Sequence, residues 1–290
     1  MKTIGIDIGG TNIKALIFEN GKYTDGKSAV TPKNSPDNTA RAVAGIADSL
    51  CGDEINIGIA CAGEVDGSTG IITADNLGFK NVDFSEMLGR YTNKRFYLLQ
   101  DACAASYAEL KSGVLKGFDN ALYLCFGTGV GGDVILNGKS IRKNLPLSCE
   151  IGHMITHPNG KKCSCGNSGC YERYASAAAL SEMSEYKYSA FEIAEGAKQG
   201  EKEFTAIWQE YISELCIGLM NCMILYSPDC ICIGGGLSGA GKFLINSIKD
   251  EMNNYRYYRD YFRDVKITVS KYGSNAGALG AAIYAAESGI

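Results

Sequence analysis

The sequence lacks the features of a protein that binds nucleic acid or spans a membrane. Its 290 residues include 28 Lys and Arg against 32 Asp and Glu, for a formal net charge of −4, and no segment is rich in Lys or Arg. Nucleic-acid binding requires a positively charged surface, so the negative net charge argues against a polyanionic partner. Each long apolar run is broken by glycine or a charged residue before it reaches the roughly 20 residues of a spanning helix. We therefore expect no contact with nucleic acid or membrane.

The sequence also lacks a recognisable secretion signal and a disulfide framework. The apolar segment within residues 1–14 is interrupted by Asp7, which a signal peptide would not contain. Twelve cysteines in a chain of this length without a signal indicate reduced thiols and a cytoplasmic protein. Most of them lie singly or in pairs among apolar residues and are expected to pack as small hydrophobic side chains.

The remaining composition is that of a globular α/β protein large enough for two lobes, with 46% apolar and 21% charged residues. A short β-branched segment at residues 3–8 and another at 13–18 flank Gly9 and Gly10, which predicts a β-hairpin with a glycine tip. The other predicted strands are 55–60, 96–100, 230–233 and 265–269, and the predicted helices are 36–50, 102–115, 201–226 and 275–287.

The pattern of the first hairpin is repeated later in the chain, and we call this repeat the internal echo. Residues 122–126, the glycine-containing segment 127–132 and the apolar residues 134–136 repeat the order of strand, glycine tip and strand. A duplicated α/β lobe would produce this repeat, although two glycine-rich hairpins can also resemble each other by chance.

The glycine tips are candidates for binding a polyphosphate, because glycine allows backbone N–H groups to approach an anion closely. A third set, Gly234, Gly235 and Gly236, follows a strand in the same way. Neither a Walker A motif nor a helix-opening G-x-G-x-x-G after the first strand is present, which disfavours P-loop and Rossmann proteins. The candidate cofactor-binding residues are Asp7, which we expect to hold a metal-bound water, and Gly9, Gly10, Thr11, Asn12, Lys14, Gly127, Thr128, Gly129, Gly234, Gly235 and Gly236.

Three clustered cysteines, Cys163, Cys165 and Cys170, predict a structural Zn²⁺ site with one upstream histidine. Three thiolates and one imidazole complete a tetrahedral zinc site and leave no open position for catalysis. Both His153 and His157 lie upstream, and the spacing alone does not choose between them.

Five segments together resemble the ROK family of sugar kinases and repressors, and the resemblance spans nearly the whole chain. They are residues 7–14 (DIGGTNIK), 127–132 (GTGVGG), 150–153 (EIGH), 163–172 (CSCGNSGCYE) and 234–236 (GGG). The resemblance implies a two-lobed actin-like ATPase (ribonuclease H-like) fold with the active site in the interlobe cleft. It implies lobes at residues 1–115 and 116–290, with the last helix, about 275–288, packing back on the first lobe.

The resemblance also implies the cofactors and site residues. It implies ATP and Mg²⁺ at the glycine hairpins, a small-molecule sugar as substrate, a homodimer, and His153 as the zinc-binding histidine. Asp101 is the expected general base. The family's sugar contacts carry over onto Asn76, Asp101, Glu150, His153 and Glu172. Gly63 and Gln100, which lie where the chain departs from the family pattern, are further candidate substrate-binding residues.

The chain departs from the family pattern at the expected catalytic strand end. The family usually has Asn-Asp-Ala-Asn where residues 100–103 are Gln-Asp-Ala-Cys, and a Pro-Gly where this chain has Ala62 and Gly63. These departures bear on which sugar is used, and they keep open a sugar-sensing protein with weak turnover. A repressor of the same family would need a helix-turn-helix before the first strand and a surface suited to DNA. The sequence given begins at the first predicted strand and has a negative net charge, which disfavours a repressor. We therefore expect an ATP-dependent kinase acting on a hexose or N-acetylhexosamine.

Overall fold

The computed structural model describes residues 2–50, 55–141 and 149–288. None of the helices in these ranges is both long enough and apolar enough to cross a membrane. The strands are β1 Lys2–Ile8, β2 Asn12–Glu19, β3 Lys22–Val30, β4 Ile57–Cys61, β5 Glu64–Asp66, β6 Ile71–Ala74, β7 Phe79–Asp83, β8 Phe96–Gln100, β9 Ala121–Phe126, β10 Val130–Leu136, β11 Lys139–Ser140, β12 Cys230–Gly234 and β13 Lys266–Val269. The helices are α1 Pro36–Leu50, α2 Phe84–Gly89, α3 Asp101–Ser112, α4 Glu172–Ala175, α5 Ala177–Met183, α6 Ala190–Lys198, α7 Lys202–Tyr226, α8 Gly241–Met252 and α9 Ala276–Ser288.

The chain forms two compact units. The first contains the described residues up to Gly113 together with those from Asn275 onward, and the second contains the described residues from Val114 to Ser274. The change of unit lies between residues 113 and 114, where the sequence placed it between 115 and 116. The helix α9, last in the described sequence, belongs to the first unit.

Each unit is built on a five-stranded sheet with the same strand order. The first sheet runs β3-β2-β1-β4-β8 and the second runs β11-β10-β9-β12-β13. In both, the first three strands of the sheet pair antiparallel in sequence order, the fourth pairs parallel with the first, and the fifth pairs parallel with the fourth. The internal echo predicted from the sequence is therefore present as two sheets of one design. A smaller antiparallel sheet, β5-β6-β7, completes the first unit.

The two predicted hairpins are confirmed. β1 pairs with β2 from Lys2 opposite Glu19 to Ile8 opposite Ile13, and β9 pairs with β10 around the tip that follows Phe126. Helix α1 has the predicted bounds, and β8 ends at Gln100 as predicted. Helix α3 is shorter than predicted and ends at Ser112, because Gly113 leaves the helical conformation with a ψ of −146°.

Helix α9 packs on the first sheet through very close backbone contacts. It contacts β1, β4 and α3, and its sequence AGALGAAIYAAES is rich in small residues. A Cβ atom at Gly58 of β4 would overlap the carbonyl oxygen of Ala281, and one at Gly280 of α9 would overlap that of Ala104 in α3. The absence of side chains at these glycines allows α9 to lie directly against β4 and α3.

We expect Gly280→Ala to destabilise the protein by at least about 1–3 kcal/mol, because the added methyl group has no space beside Ala104. Gly45→Ala in α1 is the matched control, since no atom lies within 4 Å of a Cβ there. Replacing a helical glycine with alanine in open space is favourable by about 0.5–1 kcal/mol. Denaturant unfolding should therefore show opposite signs for the two variants, and equal stabilities would contradict the close packing of α9.

Candidate active site and metal centre

Three parallel strands of the first unit end at one edge of its sheet. β1, β4 and β8 run in the same direction, so their carboxyl ends share this edge. Asp7 is the penultimate residue of β1, Cys61 is the last residue of β4, and Asp101 follows β8 directly. The carboxyl edge of parallel strands is where ligands bind in open α/β sheets. The fold therefore brings the predicted base Asp101 and the predicted cofactor residue Asp7 to one place.

The carboxylate of Asp101 is held by hydrogen bonds at the junction of β8 and α3. Its Oδ1 accepts the backbone N–H of Ala102 at 2.7 Å and the Nε2 amide of Gln100 at 2.5 Å. The other end of the same amide, Oε1 of Gln100, accepts the backbone N–H of Cys103 at 2.9 Å. Gln100, rather than Asp101, thus caps α3 at the backbone N–H of Cys103.

The neighbouring carboxyl group of Asp7 lies in a desolvated and negatively charged environment. Burial and the charge of Asp101 raise the pKa of Asp7 to about 7, while Lys14, opposite it on β2, acts to lower it. Burial, followed by the charges of Asp101 and Asp7, also raises the pKa of the Cys61 thiol. The Asp7 carboxylate lies against the first turn of α9, where a Cβ at Gly277 would be 2.9 Å from Oδ2.

We expect Asp7→Asn to stabilise the protein relative to the parent increasingly as pH rises from 5 to 8. The unfolded carboxyl group ionises near 3.8 and the folded one near 7, so the folded parent loses stability across that interval. Asparagine carries no charge, so the variant escapes this loss. Denaturant unfolding without added magnesium or nucleotide checks the prediction. A stability difference that does not change with pH would contradict it.

The glycine tip after β1 is bonded to the end of β3. The Thr31 hydroxyl donates to the carbonyl oxygen of Gly9 at 2.7 Å, and the Thr31 N–H donates to that of Thr11 at 2.9 Å. The predicted sugar contact Asn76 is close, because a Cβ at Gly10 would lie 3.5 Å from its Nδ2. The first unit thus places Asn76 beside the candidate phosphate loop.

Gly63, another predicted substrate residue, has a structural requirement of its own. Its φ is +95°, and a Cβ there would overlap the carbonyl oxygen of Thr73. Gly63 lies in the turn between β4 and β5, and the conformation of this turn requires glycine whether or not a ligand binds there.

In the second unit, the other two glycine sets lie together at the end of the sheet. The N–H of Gly127 donates to the carbonyl oxygen of Gly129 at 3.0 Å, which closes the tip between β9 and β10. Gly235, at the end of β12, has a φ of +75°, and a Cβ there would overlap backbone atoms of Phe126. Because β9 and β12 are parallel neighbours, the sets 127–129 and 234–236 form one glycine-rich edge.

The four predicted metal ligands converge in the second unit. The donor atoms of His153, Cys163, Cys165 and Cys170 all lie within 4.8 Å of one another. The Sγ atoms of Cys165 and Cys170 are 3.5 Å apart, and Sγ of Cys163 is 3.7 Å from Nδ1 of His153. A tetrahedral Zn²⁺ with Zn–S bonds of about 2.3 Å places its sulfur ligands about 3.8 Å apart. The spacing of these atoms therefore fits a tetrahedral zinc ion, with Nδ1 as the imidazole donor.

The second histidine, His157, has different partners. Its Nε2 lies 3.3 Å from Oε2 of Glu214, and its ring stacks on Tyr174 with a centroid separation of 3.9 Å. Its Nδ1 lies 3.0 Å from the Thr156 hydroxyl. His157 thus contacts Glu214 of α7, and His153 is the histidine that lies with the three cysteines.

Glu172 connects the metal cluster to the glycine tip of the same unit. Its Oε1 accepts the Cys163 thiol at 3.2 Å and lies 3.9 Å from Nδ1 of His153. Its Oε2 accepts the N–H of Val130 at 3.4 Å, and a Cβ at Gly129 would lie 2.7 Å from that oxygen. The remaining predicted residue, Glu150, is exposed, and its carbonyl oxygen accepts the N–H of His153 at 2.9 Å.

Two further residues, Cys61 and Thr31, lie at the candidate active site and were not predicted from the sequence. Cys61 lies at the site because β4 is the parallel neighbour of both β1 and β8 and ends at Cys61. A sequence prediction of the strand order could have placed it there. The bonds of Thr31 to the glycine tip depend on the register between β2 and β3, and that register includes an irregularity between Lys14 and Leu16. No sequence signal marks this register.

Comparison with known proteins finds relatives over nearly the whole chain. The glucokinase of Thermotoga maritima is 28% identical over 306 residues, covering 97% of this chain and 96% of that protein. The N-acetylmannosamine kinase of Pasteurella multocida is 27% identical over 298 residues, with 99% and 97% covered. The crystal structure of a ROK family glucokinase from Streptomyces griseus, with glucose and AMPPNP, matches with a TM-score of 0.89 at 25% identity, covering 99% of this chain and 100% of that chain. The predicted actin-like ATPase fold is thereby confirmed. The ROK family model matches residues 3–288, and the chain belongs to the ROK family.

Proposed function

We propose that this chain is an ATP-dependent sugar kinase that transfers the γ-phosphoryl group to a hydroxyl of a hexose or N-acetylhexosamine. The observation that carries the proposal is the hydrogen-bonded carboxylate of Asp101 at the carboxyl edge of the first sheet. The relatives support it, because those named above are a glucokinase and an N-acetylmannosamine kinase, and the matching crystal structure holds glucose and an ATP analogue.

Asp101 is the proposed general base. Phosphoryl transfer depends mainly on positioning and on neutralising the phosphate charge, with a base to accept the proton of the attacking hydroxyl. Two hydrogen bonds to Oδ1 hold the carboxylate in one orientation, as a base must be held. As the sugar oxygen attacks the γ-phosphorus, its proton passes to this carboxylate, and the bond from the γ-phosphorus to the bridging oxygen of ADP breaks to release ADP.

The three glycine sets are the proposed contacts for the phosphates of ATP, because their backbone N–H groups can approach an anion closely. Lys14 and the hydroxyls of Thr11 and Thr128 add polar groups at the two hairpins. Mg²⁺ would neutralise charge on the phosphates, and Asp7, whose pKa is raised by burial and by the charge of Asp101, would hold one of its bound waters.

The four converging ligands of the second unit are the proposed structural zinc site. Through Nδ1, His153 would bind the ion, leaving Nε2 for a sugar hydroxyl. Glu150 and Glu172 are the proposed acceptors of other hydroxyls, and the metal would fix them indirectly through the surrounding segment. Asn76 and Gly63 are the proposed sugar contacts from the first unit.

The experiment that tests the function is a coupled assay of ADP release over a panel of hexoses, N-acetylhexosamines and glycosides, with ATP and Mg²⁺. ADP release that depends on one of these sugars is the expected result. No sugar-dependent release over the whole panel, from protein with its zinc bound, would overturn the proposal. Light scattering of the same sample tests the homodimer, and omission of Mg²⁺ tests the metal requirement.

We expect glucose not to be the best substrate in that panel. Gln100 is one methylene longer than the asparagine usual in the family, and its amide is bonded to Asp101 and to Cys103. A pocket change of one methylene alters discrimination by about 1–3 kcal/mol, so a preference of about 10–200-fold for another sugar is expected in kcat/KM. A panel in which glucose had the highest kcat/KM would contradict this prediction.

A further inference from the structure

The side-chain amide of Gln100 joins two groups of the candidate active site. It extends from the last residue of β8, where Oε1 accepts the Cys103 N–H and Nε2 donates to Oδ1 of Asp101. The carboxylate of Asp101 receives the Ala102 N–H on the same oxygen. Both ends of the amide are therefore in use within the first unit.

We infer that Gln100 is a positioning residue that orients the Asp101 carboxylate for proton transfer and does not serve as a hydroxyl-binding group for the sugar. The inference rests on the proposed function, because it concerns how the proposed base is held. The sequence suggested that residue 100 contacts the sugar. If the inference holds, having glutamine at residue 100 instead of the family's usual asparagine affects the rate of turnover.

Geometry gives the reason. The amide of Gln100 is planar, so the bond from the Cys103 N–H to Oε1 restricts the direction in which Nε2 can donate. That donation, together with the N–H of Ala102, places two donors on one oxygen of Asp101 and restricts the torsion of its carboxylate. The start of α3, a rigid element, thereby fixes the base through the side chain of Gln100.

Charge around the carboxylate makes this restraint important. Asp7 lies close enough for its pKa to be raised by Asp101, so the two carboxylates repel each other. Without the amide donor, the Asp101 side chain would lose a hydrogen bond that restrains it from rotating away from Asp7. A small misplacement of a catalytic group can lower the rate by about a hundredfold.

Two variants separate positioning from helix capping. Gln100→Met has a side chain of similar length without the donor or the acceptor. Asp83→Ala is the matched control, because Asp83 caps α2 by accepting the Glu86 N–H at 2.8 Å, in the same way that Gln100 caps α3. We expect Gln100→Met to lower kcat by about 10–100-fold with the KM for the sugar nearly unchanged. Asp83→Ala should lose comparable thermal stability and retain the parent kcat.

A double-variant experiment combines Gln100→Met with Asp101→Asn and compares the kcat of the two single variants and of the double variant with that of the parent. If Gln100 acts through Asp101, it has no further effect once the base is absent, so the double variant should have the kcat of Asp101→Asn alone. Independent, multiplicative losses would overturn the inference. A raised KM for the sugar with unchanged kcat in Gln100→Met would also overturn it, because it would show that Gln100 binds the sugar. A parent without sugar-dependent turnover would overturn the proposed function and this inference together, whereas an active parent isolates the inference.

Discussion

Asp101→Asn is expected to lower kcat at least a hundredfold while leaving the melting temperature and the binding of ATP and sugar unchanged. Removing a general base lowers a rate by about 10²–10⁴-fold. Asparagine keeps an oxygen that can accept the N–H of Ala102 and the amide of Gln100, so the junction of β8 and α3 should be retained. Steady-state kinetics with the best sugar of the panel, together with thermal unfolding, measures both expectations.

The structure makes this test sharper than the sequence alone. An aspartate at the start of a helix is often only a cap, whose loss costs about 1 kcal/mol of stability and leaves turnover intact. Here Gln100 accepts the Cys103 N–H, so capping at that position does not explain Asp101. Asp83→Asn, at the cap of α2, is the matched substitution and should keep the parent kcat. A kcat for Asp101→Asn within tenfold of the parent, at an unchanged melting temperature, would remove Asp101 from the mechanism.

Cys165→Ser is expected to lose the bound zinc and, with it, both thermal stability and sugar affinity. Structural zinc contributes about 10–16 kcal/mol of binding free energy in zinc-finger peptides, so losing one of four ligands has a large effect. Cys165 is the exposed member of the cluster, and replacing its sulfur with oxygen removes little packing. Glu172 contacts the ligand Cys163, so disorder in the cluster should reach the proposed sugar contacts.

Metal analysis with two histidine variants provides the control. His157→Gln should retain one zinc per chain, because His157 pairs with Glu214, whereas His153→Gln should lose it. Freshly purified parent protein without zinc would contradict the assignment. So would a Cys165→Ser variant that kept both its zinc and its melting temperature.

Features that depend on short segments could be predicted from the sequence. The hairpin at Gly9 and Gly10, the end of β8 before Asp101 and the three-cysteine cluster all depend on neighbouring residues or short spacings. The strand order shared by the two units also had a sequence signal, in the repeated glycine tips.

Features that depend on side-chain torsions and on distant pairings could not be predicted. The sequence predicted Gln100 as a sugar contact, and only its rotamer shows that the amide reaches both Cys103 and Asp101. The spacing of the two histidines likewise could not exclude His157, because its contact with Glu214 is with a helix far along the chain. The family resemblance supplied the choice between them where residue spacing did not.

The return of α9 to the first unit has a consequence for the order of events during synthesis. Helix α9 covers β1 and β4, but the ribosome makes the whole segment from Val114 to Ser274 before it. At about 5–20 residues per second, this segment delays α9 by roughly 10–30 s. During that interval α9 is not yet available to cover the face of the first sheet on which it packs. The core of the second unit uses no residue beyond Ser274, whereas the first unit also needs α9. We therefore expect the first unit to be the last to acquire protease resistance after synthesis, which limited proteolysis of newly made protein would measure.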